Sequence, residues 1–157
     1  MKYEIEIFNK DPEIVMPDLD LLFPGKNIKT DFSKLYLITG TLDNDTLQKS
    51  VKDLFCDPVV EDYRIAMIEN GFQKIKNRAS DVSDRWEVTI YYHPEVTDPG
   101  SETIMKALND VDIRVKNVIT GKRYLLKGKG MTFDQVELIT RRLLANYTVH
   151  DAFIKNI

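Results

Sequence analysis

Two histidines, His93 and His150, and one cysteine, Cys56, are the only imidazole and thiol groups in these 157 residues. A Cys/His dyad or a Ser/His/Asp triad would have to use one of those histidines. His93 precedes Pro94 just after an alternating apolar run, and His150 falls inside the terminal one, so neither is set beside Cys56 or a candidate serine. Both read as packed or surface histidines. One thiol and two imidazoles are too few for a Cys/His zinc site, and a single cysteine forbids an internal disulfide. The acidic pairs Asp18/Asp20 and Glu61/Asp62 could serve acid–base work or hold a hard cation, but neighbouring carboxylates in a chain of net charge -3 are ordinarily solvated surface. There is no GxGxxG and no P-loop to cradle a nucleotide. No catalytic residue, metal site or cofactor is expected.

Binding is better signalled than catalysis. Arg114, Lys116, Lys122, Arg123, Lys127 and Lys129 put six cations and no acid into residues 114–130 of an otherwise acidic chain. Such a segment can meet phosphates or an acidic partner surface, and Gly121, Gly128 and Gly130 would let a backbone approach closely. An RNA-binding sheet could use it, but the stacking aromatics of RNP motifs are missing and Tyr124 alone makes no platform. A solvated hairpin with no ligand is the competing reading.

The elements that must position these residues follow from periodicity. Tyr3, Ile5 and Ile7 alternate with charged residues, an opening strand over 2–8. Pro12, Pro17 and Pro24 limit residues 11–27 to one short helical turn. An apolar strand over 35–38 precedes a helix over 43–55, where Leu47, Val51, Leu54 and Phe55 form one stripe behind an Asp43/Asn44 cap; Pro58 ends it before a strand over 59–67. Trp86, Val88, Ile90 and Tyr92 mark a further strand, and Asp98-Pro99-Gly100 starts a helix carrying Ile104, Ala107, Leu108 and Val111. Residues 114–119 and 123–127 flank Thr120-Gly121-Lys122 as a hairpin or kinked strand. Thr132 and Gln135 have capping-box spacing ahead of a helix with Val136, Ile139, Leu143 and Leu144, and a strand over 148–154 closes the chain.

The two halves share this grammar. A shift of 89, from Leu54 to Leu143, aligns 54–65 with 143–154 and makes Leu54/Leu143, Val60/Val149, Asp62/Asp151 and Ile65/Ile154 identical; it also lays 35–37 on 124–126. The expectation is an α+β fold of two tandem ferredoxin-like units with antiparallel sheets, residues 1–70 and 82–157, related by a pseudo-two-fold and pairing through their sheets or edge strands. The polar connector 69–84, with Asn70-Gly71, sits where a boundary belongs. No apolar run reaches the length of a membrane span and the alternating N-terminus is unlike a signal peptide, so a cytoplasmic protein is expected.

Several of these residues together resemble the PurS family, the small subunit of phosphoribosylformylglycinamidine synthase. They are Tyr91 through Gly100 with its Asp98-Pro99-Gly100, then Ala107-Leu108, Gly121-Lys122, and Leu143-Leu144-Ala145-Asn146 before a last strand. The Pro and Glu that follow Asn in the family ending are absent here but present in the first half, where Asp57-Pro58-Val59-Val60-Glu61-Asp62-Tyr63 is similar to it. Conversely, Asp11-Pro12 lacks the glycine that follows in the pattern, and Lys34 has no glycine before it. The whole resembles a tandem of two PurS-like units, or the PurS-dimer-like amino-terminal region of a large single-chain synthase. The resemblance implies a non-catalytic subunit bridging a glutaminase subunit and an ATP-dependent synthetase subunit for ammonia transfer, with self-association possible and no nucleic acid or membrane partner. Partner contact is expected at Arg114, Lys116, Gly121, Lys122, Arg123 and Lys127. A small-ligand regulatory module of ferredoxin-like fold, or RNA binding through 114–130, are the alternatives.

Overall fold

Alternation of apolar with charged residues gives each long strand one face to bury, and the apolar stripes of the helices supply the cover. The computed structural model describes residues 2–68 and 81–157. In order they form β1 (Lys2–Ile14), α1 (Pro17–Leu22), β2 (Lys29–Gly40), α2 (Asn44–Leu54), β3 (Glu61–Met67), β4 (Val82–Tyr92), α3 (Pro99–Asp110), β5 (Val115–Thr132), α4 (Phe133–Ile139) and β6 (His150–Asn156). A π-helical turn, Thr140–Leu144, prolongs α4. All six strands join one antiparallel sheet in the order β3-β1-β2-β5-β4-β6, so the two halves meet along β2 and β5.

Each half has the same strand order, and the register shows the correspondence residue by residue. Ile5 pairs with Tyr36 on one side and Ile65 on the other; Val88 pairs likewise with Tyr124 and Ile154. The shift is therefore 83 for β1 onto β4, 88 for β2 onto β5 and 89 for β3 onto β6. The expected placement of 35–37 on 124–126 is off by one: the register sets them on 123–125, because a strand shifted by one residue would turn its apolar face outward.

Helices are exchanged between the halves. Leu108 of α3, with Ile104 and Met105, packs on the first half's Tyr3, Ile5, Ile7, Leu47 and Val51. Leu19 of α1 packs on the second half's Trp86, Val88, Val136 and Ile139. Each fully buried aliphatic of this kind contributes about 1.5–3 kcal/mol, so each half's core is completed by the other.

Three elements differ from expectation. β1 continues to Ile14, with a register break between Phe8 and Glu13 that leaves Pro12 outside the regular ladder, where its missing N–H does no harm. Of the hairpin and the kinked strand that Thr120-Gly121-Lys122 allowed, the hairpin does not exist: β5 runs unbroken through these residues, paired on both sides. Gly121 is there for space, since an added Cβ would collide with the Ile90 carbonyl and lie 2.6 Å from Cδ1 of Tyr91. The polar connector lies largely outside the described residues, and Val82 through Asp84 already belong to β4.

Candidate functional site

Because β5 is a strand, its cations alternate between the two sheet faces and do not form one patch. Lys122 points to the face that carries the helices and Arg123 to the opposite face. Arg114, Lys116, Lys122 and Lys129 are exposed. Arg114 and Lys116 border a shallow depression with Thr39, Gly40 and Thr41.

Arg123 and Lys127 are not unpaired, contrary to the expectation that this segment holds free positive charge. Only 17% of the Arg123 side chain is exposed, and Nη2 lies 2.8 Å from Glu4 Oε1, Nη1 3.4 Å from Glu6 and Nε 3.4 Å from Glu87. Nε also donates to Thr89 Oγ1 at 3.0 Å. The carboxylates have further partners: Glu4 accepts from the Tyr91 hydroxyl, Glu6 from Ser33, and Glu87 faces Lys155. Burial pulls the guanidinium's pKa down, and Glu4, Glu6 and Glu87 more than reverse this, so Arg123 stays charged. Burial, then Glu4, drives the Tyr91 pKa far upward, which keeps its hydroxyl a donor. Lys127 Nζ is 3.0 Å from Asp31. This network spans β1, β2, β5 and β4, and it clasps the two halves across their seam. The sequence hides it because the partners lie 87 and 119 positions apart; the alternation that puts Glu4 and Glu6 opposite Tyr3 and Ile5 was its only signal.

The motif residues build structure. Asp98 is buried: Oδ1 accepts from Gly100 N and Thr120 Oγ1, and Oδ2 from Thr120 N at 2.6 Å, which ties the α3 start to the middle of β5. Pro99 occupies the first helical turn, and Gly100 leaves room for the Thr120 methyl, which an added Cβ would approach to 3.0 Å. Asp57 and Asn146 make the same turn. Asp57 O accepts from Val60 N and Glu61 N, its Oδ1 from Val59 N, and its N donates to Glu61 Oε1. Asn146 O accepts from Val149 N and His150 N, its Oδ1 from Thr148 N, and its N donates to His150 Nδ1 at 3.0 Å. His150 thus takes the place of Glu61, and Pro58 only stiffens the first copy.

Among the described residues neither histidine is paired with a nucleophile. Nδ1 of His93 faces Asp151 at 3.1 Å and its ring lies near the Tyr147 carbonyl; those hydrogen bonds, that to Asp151 first, raise its pKa. The pKa of His150 is lowered by burial, then by Lys122 and His93, against a smaller opposing pull from Asp98. Burial, then Glu61, Asp62 and Asp57, pushes the Cys56 thiol up, away from the reactive thiolate. Among the described residues no group of three His, Cys, Asp or Glu is placed to hold a metal, and no helix is long and apolar enough to cross a membrane.

The face opposite the helices carries, among the described residues, a cleft of about 410 Å³ beside the Arg123 network, lined in part by Phe8, Ser33, Arg64, Arg85 and Leu125. Arg64 lies over the Phe8 ring at 4.7 Å.

The family model described as PurS, phosphoribosylformylglycinamidine (FGAM) synthase, matches residues 85–156. No curated protein matches the chain. The matched span runs from Arg85 in β4 to the end of β6 and contains the Asp98 clamp, Gly121-Lys122 and the Asn146 turn. Residues 85–156, most of the second half of this chain, are therefore similar to a PurS unit of FGAM synthase.

Proposed function

We propose that the chain is a non-catalytic assembly subunit that joins a glutaminase subunit to an ATP-dependent synthetase subunit, so that ammonia released by one reaches the other. The observation that carries this reading is the PurS match over residues 85–156. The architecture suits the role: a first half with the same strand order, fused through β2 and β5, makes one body with two related but chemically different outer surfaces. In this reading the first half is a second, diverged PurS-like unit. Arg114, Lys116 and Lys122 are the contact cations, while Arg123 and Lys127 hold the body together. The test is reconstitution: glutamine-dependent, ATP-consuming amidation by the two larger subunits should require this chain, which alone shows neither glutaminase nor amidation activity. Undiminished turnover without it would remove the bridging role.

A second reading, a small-ligand regulatory module, is favoured by the cleft beside the Arg123 network, whose volume of about 410 Å³ falls in the usual range for ligand pockets. A thermal-shift screen of nucleotides and amino acids would support it if a hit disappeared on Phe8→Arg.

A further inference from the structure

The β2–β5 register places Lys34 directly opposite Lys122. These two positions are also equivalents of one another: Lys34 pairs with Ile7, and Lys122 pairs with Ile90, the counterpart of Ile7. The pseudo-two-fold therefore passes through this lysine pair. On the same face, Phe32 and Tyr124 on one side belong to the second core cluster, and Ile38 and Val118 on the other belong to the first. The lysines stand in the gap between the clusters, and both are exposed. Like charges directly opposite on a ladder are destabilising, and among the described residues no carboxylate lies within 4 Å of either ammonium, whereas Arg123 and Lys127 on the opposite face are both engaged. Asp98, next to Thr120, does not help, since both its oxygens are occupied by Thr120 and Gly100. His150, near Lys122, offers only a depressed imidazole whose Nδ1 is already an acceptor.

We propose that Lys34 and Lys122 together form the central docking point of this protein, receiving acidic side chains from a partner protein at the pseudo-two-fold axis. A protein partner is favoured over a free small anion by the shape of the place: the hollow beside Lys122, lined by Tyr92, Thr120, Leu144 and His150, measures only about 40 Å³, far below what encloses a nucleotide-sized body. The opposed charges raise the free energy of the free chain and are relieved on docking, so the pair favours the complex at both ends of the equilibrium. On the reading given above, the partner is one of the two larger synthase subunits.

The experiment compares wild type with the Lys34→Gln/Lys122→Gln double variant. The isotopically labelled chain is titrated with a hexaglutamate peptide and, separately, with inorganic phosphate, and each synthase subunit is titrated against both chains over a salt series. We expect hexaglutamate to shift the amides of Lys34, Gly121 and Lys122 and phosphate to shift them much less. The variant should melt at the same or a higher temperature at low salt, yet bind one subunit about tenfold more weakly, with the gap closing as salt screens it. Equal shifts from phosphate would overturn the proposal in favour of a small-anion site. Unchanged affinity of the variant for both subunits would overturn it while leaving the bridging role intact. Binding of neither subunit to wild type would instead remove the bridging role, and the peptide titration alone would then decide the docking point, absence of shifts overturning it.

Discussion

Neighbours in sequence, Lys122 and Arg123 have opposite fates because a strand turns successive side chains to opposite faces. Lys122 is exposed, whereas Arg123 is nearly enclosed by three carboxylates. Reversing the charge at Lys122 should change stability by less than about 0.5 kcal/mol, as is usual for surface positions. Arg123→Glu should instead lower it by about 3 kcal/mol or more, because it leaves Glu4, Glu6 and Glu87 without their shared cation and adds a fourth acid. Urea unfolding of the two single variants checks this, and equal losses would contradict the placement. The histidines should respond to pH in opposite senses. His150 has a depressed pKa and accepts from Asn146 N as the neutral ring, so its contribution is present above the ordinary histidine pKa of about 6.5 and is lost as pH falls through its lower folded value. His93 has a raised pKa, so its contribution is present below about 6.5 and is lost as pH rises through its higher folded value. His150→Ala should therefore cost more at about pH 8 than at about pH 5, and His93→Ala the reverse, as read from unfolding curves at the two pH values.

Among the elements, α3 and β5 depend most on single residues. Asp98 caps α3 and also holds the backbone and hydroxyl of Thr120, so Asp98→Ala removes a cap worth about 0.5–2 kcal/mol and leaves a half-buried N–H and hydroxyl without their acceptor. The loss should exceed that of Asp43→Ala, an exposed cap whose side chain accepts from Thr46 N on α2; chemical denaturation of both variants makes the comparison. Gly121→Ala should cost about 1–3 kcal/mol by overpacking against Ile90 and Tyr91. The helices themselves were legible, because Asp43, Asp98 and Thr132 are cap residues in front of clear apolar stripes. The strand through Gly121 was legible only as one of two readings, because Thr-Gly-Lys between two β-rich segments also reads locally as a turn, and the partner strands on both sides keep it extended.

For the molecule as a whole, the exchange of α1 and α3 makes each half incomplete alone. A fragment of residues 1–68 keeps β1, β2, α2 and β3 but loses Ile104, Leu108, Ile113 and Val118 from its core, and it exposes Leu19 with no cluster to enter. It should show no cooperative unfolding transition by circular dichroism, and a sharp melt from it would contradict the interlocked core. By itself the sequence determined the α+β class, the order of elements, the helix caps and the likeness of residues 85–156 to a family pattern, all of which rest on spacings of a few residues. The equivalence of Lys34 with Lys122, the clasp around Arg123 and the helix exchange were decided only by the tertiary structure. Each of these depends on which strands become neighbours and in what register. That choice comes from long-range burial of apolar faces, which leaves no local trace in the residues it brings together.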